Sequence, residues 1–419
     1  MSDYFFLSQE QARAIAKKWG TPVYVYDQKA LEAKAKAALE FPNAFGLTVR
    51  YAMKAAPNAA ILRLFESLGL SIDAGSGYEA QRALLAGIAP DKICISSQEY
   101  PKDLTELYEA GVQFNACSLH QIERFGESLP GCSVGLRFNP GIGSGGSKKT
   151  NVGGPASSFG IWHECLPQVQ SLIERHRLKV VRIHTHIGSG SDPEVWQRVA
   201  LLSLGLVHSF PEVTVLNLGG GYKVGRMPDE VSTDLQIVGE PIRKAFQDFA
   251  QRTQRQLHLE IEPGTFLLAN SGALLTTVQD IVHTGDQGFN FVKLDGGMTD
   301  ILRPTLYGAQ HPIAIIPEHS TQARSDYIVV GHCCESGDLI TCAPDSPDVL
   351  QARSLTKAAI GDLCLIGGAG AYCSSMSAKN YNSFPEVPEV LLTKLGELCL
   401  IRRRQKLDEI VSNECEGVE

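Results

Sequence analysis

The chain of 419 residues lacks an excess of basic residues, a long apolar run and any CxxC pair. Its 46 acidic residues outnumber 38 lysines and arginines, and the net charge of −8 leaves no surplus of cations to neutralise nucleic-acid phosphates. No apolar run approaches the roughly 20 residues that a membrane-spanning helix needs. The N-terminal MSDYFFLSQEQARAIAKK shows no basic leader or small-residue cleavage site. We therefore expect a cytoplasmic protein that binds neither nucleic acid nor membranes.

The eleven cysteines are odd in number, and most lie among apolar residues, as in KICIS (92–96) and GDLCLIG (361–367). This pattern argues against a disulfide framework and against a zinc ribbon. With 43% hydrophobic and 20% charged residues the composition is globular. The length favours two unequal domains, or one barrel with a smaller partner.

Eight short β-type segments alternate with amphipathic helical segments in the first two thirds of the chain. The predicted strands are 49–54, 70–74, 92–96, 113–117, 133–139, 180–187, 213–218 and 257–262. Eight consecutive β-then-α units predict a TIM-like (β/α)8 barrel, whose active site lies at the carboxyl ends of the strands.

Beyond about residue 270 the pattern changes to β-branched segments separated by Gly, Pro and Asp, which predicts a C-terminal all-β domain. The early segment TPVYVYD (21–27) alternates like a strand, and we expect an N-terminal strand there to complete the C-terminal sheet. The predicted domains are a barrel over residues 29–270 and a β-domain built from residues 1–28 and 271–419.

Two candidate functional segments lie at the ends of predicted barrel strands. Lys54 closes the first strand in YAMKAAPN (51–58), where a poorly solvated amine can attack a carbonyl, whereas a snorkelling surface lysine is the alternative. LNLGGGY (216–222) ends a strand in three glycines, whose backbone amides can wrap a phosphate. A plain tight turn is the alternative at this position.

Further candidates lie on later strands. HTHIGSG (184–190) sets His184 and His186 on one face of a strand, which suits either a metal ion or an aromatic cofactor ring. Glu262 ends the eighth strand and could pair with a pyridinium nitrogen or with a neighbouring cation. GIGSGGSKKT (141–150) is not a P-loop, because no lysine directly follows its last glycine.

Two glycine-bounded segments of the second domain also carry reactive side chains. GHCCESGD (331–338) sets Cys334 beside Glu335, which could act as a proton donor and an ammonium acceptor. GAGAYCSSMSAKNYNSFP (368–385) offers Tyr372. A buried cysteine and a solvated glutamate are the alternative for the first segment.

Together these segments resemble the fold-type III pyridoxal-phosphate-dependent amino-acid decarboxylases, and within them the diaminopimelate decarboxylases. The resemblance runs in one order from about residue 21 to about residue 390. It includes YAMKAAPN, DAGSGYE, RFNPGIG, FGIW, HTHIGSG, NLGGGY, EPG, LDGGMTDILRPTLYGAQHP, CESGD, GAY and NYNS. Such co-linear agreement is more specific than any single motif.

The resemblance implies a role for each matching residue. Lys54 is similar to the lysine that binds pyridoxal 5'-phosphate covalently, His186 to the ring-stacking histidine, and Glu262 to the partner of the ring nitrogen. The residues at cofactor-phosphate positions are Ser189, Gly220, Gly221, Gly264 and Tyr372. The residues at substrate positions are Arg303, Tyr307, Glu335 and again Tyr372. Cys334 matches a proton donor that comes from the neighbouring subunit of a homodimer, and Asp73 and Arg137 match positions close to the cofactor and the lysine.

The implied activity is that of a metal-free carboxy-lyase of lysine biosynthesis, which converts meso-diaminopimelate to L-lysine. The sequence departs from the family at Thr265, where the usual EPGR motif has arginine, a partner for carboxylate or phosphate. A sister decarboxylase of another carboxylated or basic amino acid therefore stays open. An amino-acid racemase, which would share the barrel and the cofactor, is a further alternative, and a metal-dependent barrel hydrolase comes last.

Overall fold

A computed structural model describes residues 5–142, 153–186, 188 and 192–415. The chain divides into two compact units. The first unit, the barrel unit, comprises residues 32–224 and 231–267, and the second, the sheet unit, comprises residues 1–31, 225–230 and 268–419.

Eight parallel strands close into a ring in the barrel unit. Their bounds are Leu47–Ala52, Ser71–Ala74, Ile93–Ile95, Gln113–Ala116, Ser133–Asn139, Lys179–Thr185, Val215–Asn217 and His258–Ile261. Each strand pairs with the next along the chain, and the last pairs with the first, with Leu259 opposite Leu47. A two-residue strand, Ile161–Trp162, adds to the fifth. The predicted TIM-like barrel is confirmed.

Helices follow the barrel strands. Their bounds are Ala59–Ser67, Gly77–Leu85, Leu104–Glu109, Leu119–Ser128, Leu166–His176, Pro193–Val207 and Leu235–Thr253, with one-turn 3₁₀ segments at Met53–Ala55, Pro90–Lys92 and His163–Cys165. Helices Gln28–Leu39 and Thr265–Leu268 each cross a boundary between the residue ranges of the two units. Side-chain caps fix several starts, as where Asn58 accepts a hydrogen bond from the amide of Ala60.

A mixed sheet forms the sheet unit. In spatial order its main strands are Arg353–Thr356, Arg324–Val330, Asn290–Leu294, Gly272–His283, Val23–Asp27, Glu389–Leu392 and Leu398–Arg402. Leu363–Ile366 pairs with Gly272–His283 and with Ile313–Ile316, and Cys342–Ala343 and Ser346–Leu350 form a separate hairpin. The N-terminal strand lies antiparallel to Gly272–His283 and parallel to Glu389–Leu392, which confirms that it completes the C-terminal sheet.

The sheet unit also contains helices that the β-type pattern did not predict. Their bounds are Gln9–Trp19, Arg303–Tyr307 and Leu407–Ile410, with one-turn 3₁₀ segments at Ala269–Ser271 and Tyr381–Ser383. Ser8 and Gln11 form a capping box at the first helix, whose Ile15 packs into one apolar cluster with Val25 and Leu365 of the sheet. Among the helices of the described ranges, none combines the length and apolar character that crossing a bilayer requires.

Candidate active site

Lys54 lies just beyond the first barrel strand. We predicted the strand to extend to this lysine, but it ends at Ala52, because the chain turns into the 3₁₀ segment Met53–Ala55. The Lys54 side chain is 50% exposed, and its Nζ lies 3.6 Å from Oδ2 of buried Asp73 at the end of the second strand. The amine is therefore oriented by a carboxyl group while staying accessible to a ligand.

The pKa of Asp73 reflects this environment. Burial and the charge of Glu262 raise the pKa of Asp73 to about 7, although Lys54 pulls it down. A carboxyl group that gains and loses its proton near neutral pH thus lies beside the accessible lysine.

Glu262 follows the eighth strand, His258–Ile261, and is buried. Its Oε1 accepts a hydrogen bond from Asn217 Nδ2 at 2.7 Å, and its Oε2 lies 3.3 Å from Nε2 of His184. Burial alone would raise the pKa of Glu262, but the contact with His184 and the charge of Lys54 outweigh burial and hold that pKa well below its usual range. The structure therefore keeps a carboxylate ionised inside the barrel.

Asn217 connects Glu262 to an ion cluster deeper in the barrel. Its Nδ2 also lies 3.2 Å from Oε2 of Glu260. Glu260 pairs with Arg50 at 2.7 Å and with Arg182 at 2.9 Å, and all three side chains are buried. Charge pairing of this kind fixes the side chains that surround it, so Asn217 presents its amide to Glu262 from a rigid base.

His186 directly follows the sixth strand and is half-buried. Burial, Arg137 and Lys54 lower the pKa of His186 well below its usual value, so the imidazole is neutral. Its Nδ1 is buried and has no hydrogen-bond partner among the described residues. The imidazole ring thus keeps an unsatisfied polar atom at the same end of the barrel as Glu262.

The glycine run after the seventh strand permits close packing here. A Cβ on Gly219, which has a φ of +70°, would lie 2.6 Å from Nδ1 of His186, and one on Gly220 would lie 2.0 Å from the carbonyl oxygen of Glu262. Gly221 has a φ of +107°, which other residues rarely adopt. A tight turn alone would not explain why the first two positions exclude a side chain.

Two other predicted phosphate-site residues give less information. Gly264 precedes the short helix Thr265–Leu268, and its carbonyl accepts a hydrogen bond from the amide of Leu267. Ser189 lies outside the described residues. In the described part of the chain, no group of three or more His, Cys, Asp or Glu side chains is arranged to hold a metal ion.

The remaining predicted residues lie in the sheet unit. Arg303 and Tyr307 begin and end one short helix, with the Arg303 guanidinium carbon 5.8 Å from the centre of the Tyr307 ring. Thr305 donates a hydrogen bond to the carbonyl of Gly337 at 2.8 Å, which joins this helix to the 331–338 loop. Tyr372 is half-buried with a φ of +57°.

Cys334 and Glu335 are exposed at the tip of the 331–338 loop. The Cys334 amide donates to Oδ1 of Asn382 at 3.0 Å. Buried Asp338 holds the base of the loop, because it accepts hydrogen bonds from the amides of Cys333 and Met298. A rigid base therefore presents a thiol and a carboxylate outward.

Sequence reasoning missed two partners of Glu262. His184 was interpreted, together with His186, as suited to a metal ion or to a cofactor ring, and Asn217 was not singled out. Both are polar residues at the ends of strands that are otherwise apolar, a signal available in HTH and LNLGGG. The pairing itself joins residues 45 positions apart for Asn217 and therefore has no local pattern.

The family model for "Pyridoxal-dependent decarboxylase, pyridoxal binding domain" matches residues 29–269. The chain belongs to the fold-type III family of pyridoxal-phosphate-dependent decarboxylases.

Its relatives within the family are similar over nearly their whole length. The diaminopimelate decarboxylase of Escherichia coli strain K12 is 35% identical over 97% of each chain. A crystal structure of diaminopimelate decarboxylase superposes with a TM-score of 0.92 at 34% identity, over 100% of this chain and 99% of that one. The Helicobacter pylori diaminopimelate decarboxylase, complexed with L-lysine, gives a TM-score of 0.83 at 30% identity, over 97% and 100% of the two chains.

The barrel residues fit pyridoxal phosphate on chemical grounds. The cofactor needs an amine for its aldehyde, a carboxylate for its ring nitrogen and backbone donors for its phosphate. Lys54 provides an accessible amine, Glu262 a buried ionised carboxylate, and Gly220 and Gly221 backbone amides that carry no side chain.

Proposed function

We propose that the protein decarboxylates meso-diaminopimelate to L-lysine as a homodimer. The observation that carries the reaction class is the buried, ionised Glu262 at the same barrel end as the accessible Lys54. The substrate is supported by curated relatives named diaminopimelate decarboxylase at 33–35% identity and by solved relatives complexed with L-lysine.

Three barrel residues hold and orient the cofactor in this proposal. Pyridoxal phosphate, when bound, supplies a protonated ring that accepts the electron pair released as CO2 leaves Cα. Lys54 would provide the amine that binds the aldehyde. Glu262 keeps the proton on the ring nitrogen, and neutral His186 packs against the ring without competing for that proton.

Other residues bind the phosphate and the substrate. Backbone amides of Gly220, Gly221 and Gly264, with Ser189 and Tyr372, hold the phosphate. Arg303 and Tyr307 hold a substrate carboxylate, and Glu335 accepts the distal ammonium. Cys334 delivers a proton to Cα, and its exposure fits a site that a second copy of the chain completes.

The substrate assignment is tested by incubating the purified holoenzyme with a panel of amino acids and measuring CO2 release. The panel contains meso-diaminopimelate, L-lysine, L-ornithine and L-arginine, with the amine product identified by mass. We expect CO2 and L-lysine from diaminopimelate, and no racemised substrate. Release of CO2 from a basic amino acid alone would contradict the proposed substrate.

A second candidate is a sister decarboxylase whose substrate lacks a distal carboxylate. Thr265 favours it, because threonine cannot form the charge-assisted bidentate contact of the arginine usual at this position. The variant Thr265→Arg separates the two candidates. If diaminopimelate is the substrate, we expect the variant to retain or improve kcat/KM for diaminopimelate, whereas a sister decarboxylase would not turn over diaminopimelate with either residue at this position.

Mixing two inactive variants tests the shared site. In a Lys54→Ala and Cys334→Ala hybrid, one site carries both substitutions and the other carries neither. Random exchange should therefore restore about a quarter of wild-type activity. Subunit exchange is verified with two affinity tags, and exchange without recovery would show that each site is built within one chain.

A further inference from the structure

Arg226 is a buried cation that forms no ion pair among the described residues. Its side chain is 6% exposed, and its Nε donates a hydrogen bond to the carbonyl of Gly368 at 2.9 Å. Its Nη2 has no partner, and no carboxylate of the described residues forms an ion pair with it. Burying an unpaired charge is costly, so such groups normally have a partner.

The surrounding backbone fixes the Arg226 side chain in this position. A Cβ on Gly368, which has a φ of +62°, would lie 2.9 Å from Cγ of Arg226, so the stem packs directly on this glycine. The nearby Glu230 is engaged elsewhere, because its Oε2 accepts hydrogen bonds from the amides of Arg226 and Met227. The guanidinium is therefore positioned, while one of its nitrogens stays unsatisfied.

A second guanidinium and an imidazole share this environment. Burial, and then the charge of Arg303, lower the pKa of Arg226 to about 9. His311 has its pKa lowered well below the usual value by burial and by Arg226 and Arg303. Nε of Arg303 and Nε2 of His311 also have no partner among the described residues. An anion between two mutually repelling cations with unused donors would be bound by charge-assisted hydrogen bonds.

We propose that Arg226 joins Arg303 in binding the substrate carboxylate. This inference rests on the proposed function only for the identity of the amino acid. We assign a carboxylate because the planar guanidinium group can donate hydrogen bonds to both of its oxygens. The cofactor phosphate is the other possible source of the anion.

The test measures binding of two probes to the holoenzyme by calorimetry. L-Lysine carries the carboxylate, whereas 1,5-diaminopentane has the same chain without it. We expect Arg226→Gln to raise the dissociation constant for L-lysine by roughly 30-fold or more, as loss of a buried charged contact does. The dissociation constant for 1,5-diaminopentane should not change. Arg226→Lys keeps the charge and should weaken the binding of L-lysine less. In turnover, KM should rise more than kcat falls.

Arg404→Gln is the matched control, because Arg404 also donates one hydrogen bond to a backbone carbonyl, that of Pro22, in the same unit. It should bind both probes like the wild type. Equal weakening of both probes in Arg226→Gln would reduce Arg226 to a structural role and overturn the inference. Weaker binding of pyridoxal phosphate, with unchanged L-lysine, would overturn it in favour of the phosphate. If the wild type released no CO2 from diaminopimelate, the proposed substrate would be refuted instead. The comparison of the two probes would still test the role of Arg226.

Discussion

Lys54→Ala is expected to abolish turnover, with kcat falling by roughly 10⁴-fold or more, as loss of a covalent catalytic group does. The substitution removes the amine that binds the cofactor aldehyde, and it also leaves Asp73 without the cation 3.6 Å away. Covalent attachment is measured by borohydride reduction followed by peptide mass spectrometry. The wild type should carry the cofactor on the peptide that contains Lys54.

Two further variants separate chemistry from folding. Lys54→Arg keeps a cation beside Asp73 but cannot bind the aldehyde, so it should be as inactive as Lys54→Ala. Lys92→Ala is the matched control, because Lys92 pairs with Glu66 at 2.6 Å elsewhere in the barrel unit. It should retain wild-type turnover. Normal activity in Lys54→Ala would refute the whole assignment.

The barrel could be predicted from the sequence because its signals are local. Each predicted strand overlaps an observed one, since a buried parallel strand is a short apolar run whatever its partner. The N-terminal strand Val23–Asp27 was predictable for the same reason, although its two partners lie about 250 and 365 residues away. Alternation identifies a strand but does not identify which strands lie beside it, and the structure supplies those pairings.

The contacts inside the site could not be predicted from local sequence patterns. Asp73 beside Lys54, and His184 and Asn217 beside Glu262, are pairings between different strands of a closed ring. They depend on barrel register, which no single segment encodes. The sequence therefore identified the functional groups, and the structure supplied the charges that set their protonation.

The burial of Arg226 is a further feature that local sequence patterns could not predict. It lies in KVGRMP, a polar stretch without periodicity, and nothing local distinguishes it from a solvated arginine. The segment 225–230 belongs to the sheet unit although the barrel's sequence surrounds it. Only the fold shows that this side chain is buried near Arg303.

Glu262→Gln tests the electrostatic centre of the site by removing its charge while keeping its shape. We expect kcat to fall by about 10²–10³-fold, the usual effect of losing one preorganised electrostatic group. The amide oxygen of the new side chain can still accept a hydrogen bond from Asn217. Its amide nitrogen would face Nε2 of His184, which must change tautomer to accept a hydrogen bond. Glu262→Asp, which keeps the charge on a shorter side chain, should lose less.

Spectroscopy and a pH titration distinguish this effect from a loss of fold. Glu262→Gln should still bind pyridoxal phosphate through Lys54, and its melting temperature should stay close to that of the wild type. Because the charge of Glu262 raises the pKa of Asp73, the substitution should lower that pKa from its value of about 7. An unchanged kcat in a cofactor-loaded Glu262→Gln enzyme would mean that another group holds the proton on the ring nitrogen.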